Sequence, residues 1–199
     1  IRGSLARAVE KGKMTADERD VVLGRIQGTT GFEAMADCDL VVEAIVENLD
    51  EKKSTYAALD KVVQPAAIFA SNTSSLTVTQ LAMATSRPSR FVGLHFFNPV
   101  PVMKLVEVVS GLHTEPAVAD AIFELGTQWG KTPVHAKSTP GFIVNRIARP
   151  FYAETLALLQ EQAATPLVLD ACIKAAGFRM GACELMDLIG HDTNFAVTN

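Results

Sequence analysis

The fold of this chain is decided by the run Asp39–Val46, which has the sequence DLVVEAIV. It is rich in β-branched residues and almost continuously apolar, a pattern typical of a strand that is buried on both faces. A helix is predicted to follow from about Leu49, with its apolar residues on one stripe, and to end at Pro65. A doubly buried strand followed by a helix predicts a parallel sheet covered by helices.

The same alternation extends outward from this run in both directions. Further strands are predicted at 67–70, 90–97, 105–109 and 133–136, with helices at 76–84 and from 116 to about 129. Upstream, one helix is predicted from Ser4 to Gly12, and a second begins at a capping box over 15–18. The pattern indicates an α/β fold with a mainly parallel sheet.

The composition changes after residues 137–141, which read KSTPG. From 142 to 189 the pattern is helical throughout, with breaks predicted at Pro150, around Thr165 and Pro166, and at Gly177. We therefore predict an α/β domain over 1–138 and an all-helical domain over 139–199.

Composition and charge exclude several classes of protein. The chain has 199 residues, 48% hydrophobic, with 18 Lys and Arg against 22 Asp and Glu and a net charge of −4. These values argue against disorder and general nucleic-acid binding, and no apolar run reaches a membrane span. Three widely spaced cysteines predict buried thiols in a reducing compartment such as the cytoplasm, and no spacing suggests a metal site. The abrupt ends predict a segment of a longer chain.

Hydrogen-bonding residues follow three of the predicted strands. They occupy 47–48, 72–75 and 95–99, just past the strand ends. Because ligands of open parallel sheets bind outside the carboxyl ends of the strands, we expect a cleft along this edge.

His95 and Glu107 are the residues of this edge that most strongly indicate chemistry. His95 ends an apolar strand, and Glu107 interrupts the apolar run 105–109. A buried carboxylate needs a partner, and a histidine held by a carboxylate on one ring nitrogen keeps the other nitrogen as a base. The alternative is a structural histidine and an edge-strand glutamate that faces water.

Two further polar segments have two interpretations each. The turn 71–76 could bind an anion or a polar substrate group, or Ser74 or Ser75 could simply cap the next helix. Asn145 could reach the cleft or only bridge the two domains. No G-x-G-x-x-G phosphate loop occurs in the sequence.

Four segments resemble one known family, in the same order along the chain. They are DLVVEAIVEN at 39–48, SNTSS at 71–75, GLHFFNPVPVMKLVEV at 93–108 and TPGFIVNR at 139–146. The combination is similar to the L-3-hydroxyacyl-CoA dehydrogenases, in particular 3-hydroxybutyryl-CoA dehydrogenases. The resemblance implies a Rossmann-type NAD-binding domain without its first βαβ unit, followed by a partial helical domain truncated at the end. Such a chain is expected to bind NAD poorly by itself and to expose apolar surface beside the strand that ends at Val46.

The resemblance also implies an activity: the oxidation of an L-3-hydroxyacyl-CoA to the 3-ketoacyl-CoA with NAD as cofactor, in fatty-acid or aromatic-acid catabolism. It implies a homodimer formed through the helical domain. The implied catalytic residues are His95, Glu107, Ser74 and Asn145. The implied NAD-binding residues are Ala44, Glu47, Lys52, Ser74 and Asn98, and the CoA-binding residues are Ser4 and Lys11.

Three alternatives remain open at this point. A narrower assignment is 3-hydroxyadipyl-CoA dehydrogenase of phenylacetate breakdown. The second is a non-catalytic protein of the same fold, such as a crystallin or a binding protein. The third is a dehydrogenase of free hydroxy acids or sugar acids, against which Ser4 and Lys11 argue.

Overall fold

A five-stranded sheet forms the centre of the molecule in the computed structural model, which describes residues 1–198. Its strands lie in chain order: β1 (Leu40–Glu43), β2 (Ile68–Ser71), β3 (Phe91–Phe96), β4 (Leu105–Ser110) and β5 (Thr132–Lys137). Neighbouring strands are parallel except β3 and β4, which are antiparallel. The segment 97–104 is too short for a crossover helix, so the chain can only return antiparallel there. The predicted mainly parallel α/β fold is confirmed.

Helices flank this sheet and then make up the rest of the chain. Those of the first part are α1 (Arg2–Glu10), α2 (Ala16–Gly24), α3 (Leu49–Leu59), α4 (Val78–Ala82) and α5 (Pro116–Gln128). After β5 follow α6 (Val144–Gln160), α7 (Pro166–Ala175), α8 (Ala182–Ile189) and α9 (His191–Thr198). The fold is thus a Rossmann-type sheet followed by a helical segment, as the sequence predicts.

The core lies on both faces of the sheet. One cluster packs Tyr56 against Phe69 and Phe91, and the other joins Leu94 and Ile122 across the opposite face. All five side chains are buried. Burial on both faces explains the continuous apolar runs of β3 and β4.

Several element boundaries differ from the prediction: helix α3, for example, ends at Leu59 and not at Pro65. Two of the differences have a clear local cause. The first strand ends at Glu43 instead of Val46, because the backbone N–H of Ile45 turns back to donate to the Glu43 carboxylate at 2.7 Å. Helix α4 begins at Val78 instead of 76, because the Thr73 hydroxyl accepts the Leu76 N–H at 2.9 Å. In both places a side chain holds the backbone in a turn at the carboxyl edge.

The break predicted at Pro150 is wrong, since α6 continues through it. A proline inside a helix costs about 3 kcal/mol, mostly through one missing N–H bond and a steric clash. Tyr152 and Thr155, beyond the proline, are buried, and Tyr152 packs in a cluster with Ala182 and Met186 of α8. This packing offsets the cost. The other two breaks are confirmed: α7 begins after Thr165, and Gly177 follows it with φ +102°.

Exposed apolar residues lie beside β1, which is an edge strand of the sheet. Val42 is 40% exposed and Val46 67%, as expected from the family resemblance. One prediction about the thiols is wrong: Cys172 is exposed, while Cys38 and Cys183 are partly buried. No helix within residues 1–198 is both long and apolar enough to cross a bilayer.

Candidate active site

The carboxyl ends of β2 and β3 meet at one place and are tied together there. Asn72 follows β2, and its side-chain oxygen accepts the backbone N–H of Phe96 at 2.8 Å. This bond fixes the turn after β2 against the end of β3, where His95 lies. The polar residues that the sequence places past the strand ends are therefore neighbours in space.

His95 is held from both of its ring nitrogens. Nδ1 lies 2.6 Å from Glu107 Oε2, and Nε2 lies 3.1 Å from the Ser74 hydroxyl. His95 and Glu107 are register partners on β3 and β4, and both are buried. An ionised carboxylate can only accept, so Nδ1 carries the hydrogen in this pair, and in the neutral ring Nε2 keeps a lone pair toward Ser74. Glu107 is on a central strand, so the alternative of an edge-strand glutamate facing water is wrong.

Glu107 also accepts hydrogen bonds from backbone N–H groups at the start of α6. Its second oxygen, Oε1, accepts the backbone N–H groups of Ile143 at 2.9 Å and Val144 at 3.0 Å. Burial raises the pKa of the Glu107 carboxyl, but the hydrogen bonds from His95, Val144 and Ile143 outweigh it and bring the pKa below its ordinary value. The carboxylate is therefore ionised and fully hydrogen-bonded inside the protein.

Ser74 is positioned by Glu47. One oxygen of that carboxylate accepts the Thr73 hydroxyl at 2.6 Å and the backbone N–H groups of Ser74 at 2.8 Å and Ser75 at 3.1 Å. Burial raises the pKa of Glu47, but these donors and the nearby Lys52 ammonium lower it below the ordinary value. The capping role considered for Ser74 or Ser75 is not observed, because the N-cap of α4 is Thr77.

Asn145 enters the site on the first turn of α6. Its side-chain Nδ2 donates to the Ser74 carbonyl at 3.3 Å. The preceding turn is tight: Gly141 has φ +74°, and a Cβ there would lie 2.8 Å from the backbone nitrogen of Arg146. Phe142 also has positive φ, at 48°, and its ring packs against that of His95, with 5.6 Å between centroids. The constrained turn thus places Asn145 beside Ser74.

A cavity of about 200 Å³ opens onto these groups. His95, Ser74, Asn145 and Asn98 line it, so the structure brings together four of the residues singled out in the sequence. It also brings in side chains that the sequence did not point to: Arg149, Tyr152 and Asn194. These three lie on α6 and α9, and no local sequence pattern links them to the end of β3.

A buried ion pair at the end of β1 was not predicted from the sequence. Lys52 Nζ lies 2.6 Å from Glu43 and 3.3 Å from Glu47, and Glu43 accepts the Ser71 hydroxyl at 2.7 Å. The side chains of Glu43 and Lys52 are each only 1% exposed. Glu43 interrupts an apolar strand just as Glu107 does, and that signal could have found it.

The remaining predicted residues lie apart from His95. Ala44 is exposed just after β1, Ser4 lies on α1, and Lys11 is the C-cap of that helix. Within the part of the chain described, neither Ser4 nor Lys11 makes a hydrogen bond or ion pair with the His95 cluster. Nor do residues 1–198 contain a group of three or more His, Cys, Asp or Glu side chains placed to hold a metal ion.

A Rossmann-type sheet with a carboxylate-held histidine at its carboxyl edge is typical of dinucleotide-dependent enzymes. The family model of the 3-hydroxyacyl-CoA dehydrogenase NAD-binding domain matches residues 1–139, and that of the C-terminal domain matches 141–199. The chain belongs to the 3-hydroxyacyl-CoA dehydrogenase family. The family predicted from the four motifs is confirmed, and NAD is the cofactor that the matched domain supports.

Individual relatives agree with the family assignment. The chain is 50% identical to 3-hydroxyadipyl-CoA dehydrogenase of Escherichia coli, covering all of this chain and 42% of that protein. It is 45% identical to a probable 3-hydroxybutyryl-CoA dehydrogenase of Deinococcus radiodurans, covering 99% of this chain and 71% of the relative. The crystal structure of 3-hydroxybutyryl-CoA dehydrogenase from E. coli superimposes with a TM-score of 0.96 at 50% identity, covering 99% of this chain and 42% of that one. The chain thus spans less than half of some relatives.

Proposed function

We propose that the protein oxidises an L-3-hydroxyacyl-CoA to the 3-ketoacyl-CoA with NAD as hydride acceptor. The observation that carries the proposal is the buried His95 ring, held by Glu107 on one nitrogen and facing Ser74 and a cavity on the other. This arrangement supplies a base with a fixed tautomer at a site that accepts a small polar group.

His95 Nε2 would take the proton of the substrate's C3 hydroxyl. The charge that develops on the imidazole is stabilised by Glu107, 2.6 Å from Nδ1. The hydroxyl of Ser74, turned from Nε2 to the bound substrate, would donate to the reacting oxygen. So would the amide of Asn145, which has a second N–H besides the one on the Ser74 carbonyl. Bound NAD⁺ supplies the acceptor for the hydride that leaves C3.

The carboxyl edge of β1–β3 fits the ribose and nicotinamide half of NAD. The Glu47 side chain is 36% exposed, and its second oxygen, which lies 3.3 Å from Lys52 Nζ, points away from the 73–75 turn. Ser74 and Asn98 border the cavity. We assign these three residues, with Ala44, to the cofactor. Lys52 is buried against Glu43 and Glu47, so its contribution would pass through the Glu47 carboxylate.

Several further features belong to the same proposal. Ser4 and Lys11 would hold the CoA portion. The helical segment would form a homodimer, which is supported by its exposed apolar residues, among them Leu167 at 81% and Leu188 at 71%. We also propose a division between the two domains near residues 138 and 139, and a cytoplasmic location, which three cysteines without a disulfide support.

The narrower substrate, 3-hydroxyadipyl-CoA, is supported by the name of the E. coli relative at 50% identity. In the wider family, a relative at 45% identity is named for 3-hydroxybutyryl-CoA. The two substrates share the thioester and the 3-hydroxyl group and differ at the far end of the acyl chain. A comparison of the two therefore separates the narrower assignment from the wider one.

The test is the loss of NADH absorbance with acetoacetyl-CoA, on the protein as its gene encodes it. We expect turnover in the wild type, inhibition by free CoA, and turnover lost in His95→Gln with NADH binding retained. Turnover that persists in His95→Gln would refute the base assignment. No turnover with any thioester would favour a non-catalytic protein of this fold, and no inhibition by CoA would favour a free hydroxy acid.

A further inference from the structure

Three charged side chains connect the interior of the sheet to its carboxyl edge. Glu43 and Lys52 are each only 1% exposed, and their charged groups lie 2.6 Å apart. The Lys52 Nζ atom also lies 3.3 Å from Oε2 of Glu47, whose side chain is 36% exposed. Lys52 therefore links a carboxylate inside the protein to a carboxylate at the surface of the edge.

Glu43 is the fixed end of this connection. Its Oε1 accepts the backbone N–H of Ile45 at 2.7 Å as well as the Lys52 ammonium, and its Oε2 accepts the Ser71 hydroxyl at 2.7 Å. Ser71 is the register partner of Glu43 on β2. The carboxylate is thus held by both strands, and because it is buried it cannot turn to water.

Lys52 acts on a ligand only through Glu47. An ammonium group has three N–H donors, and three acceptors surround this one: Glu43 Oε1 at 2.6 Å, Glu47 Oε2 at 3.3 Å and the Ile45 carbonyl at 3.4 Å. With its side chain 1% exposed, the group also has no path to a bound molecule.

We propose that Glu43 is a positioning residue for NAD: by holding Lys52 in place, it fixes the Glu47 carboxylate in the orientation that accepts a ribose hydroxyl of the cofactor. The inference rests on the proposed function, which assigns Glu47 to the cofactor, and adds to it the buried residue that sets the geometry. A carboxylate can only accept, so its ligand must supply an O–H or N–H donor, and a ribose has such O–H groups.

The two oxygens of Glu47 have separate tasks. Oε1 accepts the backbone N–H groups of Ser74 and Ser75 and so holds the turn beside His95, whereas Oε2 rests on Lys52. A change at Glu43 should therefore alter the cofactor-facing oxygen and leave Ser74 in place. It should raise KM for NAD⁺ and change kcat and KM for the thioester little, which is the pattern of lost uniform binding.

The test is a fluorescence titration with NADH on the protein as its gene encodes it, together with steady-state kinetics. In Glu43→Gln the ammonium loses its buried counter-charge and draws Glu47 Oε2 toward itself. We expect Kd for NADH and KM for NAD⁺ to rise roughly 3- to 10-fold, with kcat within about twofold of the wild type. Lys52→Met should give a similar rise. The double variant should bind NADH no more weakly than Lys52→Met, because the two residues act in series.

The matched control is Asp60→Asn. Asp60 and Arg87 form another ion pair that is largely buried, with 2.8 Å between charged groups and side chains 14% and 7% exposed, but neither residue contacts the 73–75 turn or lines the cavity at His95. This variant should lose stability and keep its affinity for NADH. The comparison separates a positioning effect from the general cost of breaking a buried pair.

Unchanged NADH affinity in Glu43→Gln would overturn the proposal, and so would losses that add up in the double variant. If Glu43→Gln does not fold, Glu43→Asp keeps the charge on a shorter side chain and should give a smaller rise in Kd, while an unchanged Kd would again overturn the proposal. If the wild type binds NADH but oxidises no thioester, the proposed activity fails, and the NADH titrations still decide the role of Glu43.

Discussion

Replacing Glu107 with Gln should nearly abolish turnover while leaving the fold intact. Glutamine has the shape of glutamate, and its carbonyl oxygen can keep the two bonds from Ile143 and Val144. Its NH₂ group then faces His95 Nδ1, where the carboxylate oxygen lies at 2.6 Å in the wild type. Since that NH₂ group can only donate, Nδ1 must become the acceptor and the hydrogen moves to Nε2. The nitrogen that faces the substrate loses its lone pair.

The expected loss in kcat is about 10⁴-fold, which is the cost of the wrong histidine tautomer in an enzyme with the same carboxylate–histidine arrangement. The expected loss of stability is about 1–2 kcal/mol, because one charge-assisted hydrogen bond becomes a neutral one. Glu107→Ala differs in stability: it leaves two buried N–H groups without an acceptor, at about 1–3 kcal/mol each.

The assay is NADH formation from an L-3-hydroxyacyl-CoA at saturating substrate, with thermal melting of each variant. A kcat of Glu107→Gln within about tenfold of the wild type would show that the carboxylate does not set the tautomer, since the expected loss is about 10⁴-fold. A large activity loss accompanied by unfolding would show that Glu107 is only structural. The control is Glu115→Gln, which makes the same side-chain change at the start of α5, away from the site.

The pH dependence of stability follows from the same residue. The folded-state pKa of Glu107 lies below its ordinary value, so its contribution to stability is full above the unfolded pKa of about 4.3. It is lost as pH falls through the lower, folded-state pKa. The stability difference between wild type and Glu107→Gln should therefore shrink in acid. A difference that stays constant down to pH values below both pKa values would contradict the assignment.

Three further substitutions test the packing around the site by thermal and denaturant unfolding. Lys52→Met should cost about 3–5 kcal/mol by leaving the Glu43 carboxylate buried without its cation, and adding Glu43→Gln should restore part of the loss; an additive double variant would contradict this. Gly93→Ala should cost about 1–3 kcal/mol, because its Cβ would lie 2.8 Å from a valine of β4, whereas Gly3→Ala on α1 has open space and should be neutral or stabilising. Asp170→Asn should cost about 1–2 kcal/mol, since both carboxylate oxygens accept backbone N–H groups at the start of α8, and an unchanged melting temperature would refute that role.

Much of the site follows from the sequence because its signals are local. A carboxylate inside an apolar strand, such as Glu107, is expected to have a buried partner. Since the carboxyl ends of parallel strands lie at one edge of the sheet, the sequence also predicts that Ser74 lies close to His95. The antiparallel return from β3 to β4 could also have been deduced from the length of segment 97–104. The same reasoning applied to Glu43 would have located the buried pair with Lys52.

Other features depend on contacts between distant parts of the chain. Arg149 reaches the His95 cavity only because α6 docks at β4 and α9 folds back over it, and neither contact has a local pattern. The continuation of α6 through Pro150 was missed for the same reason. Propensity predicts a break there, and only the tertiary packing of Tyr152 and Thr155 outweighs it.

Glu107 connects the docking of the helical segment to the chemistry. One of its oxygens holds His95, and the other holds the first two N–H groups at the start of α6. Asn145 is the next residue on that helix, and it reaches Ser74 from there. Displacing α6 would therefore remove Asn145 from the site and also take away two of the donors that lower the pKa of Glu107. The site is complete only while α6 is docked on the sheet.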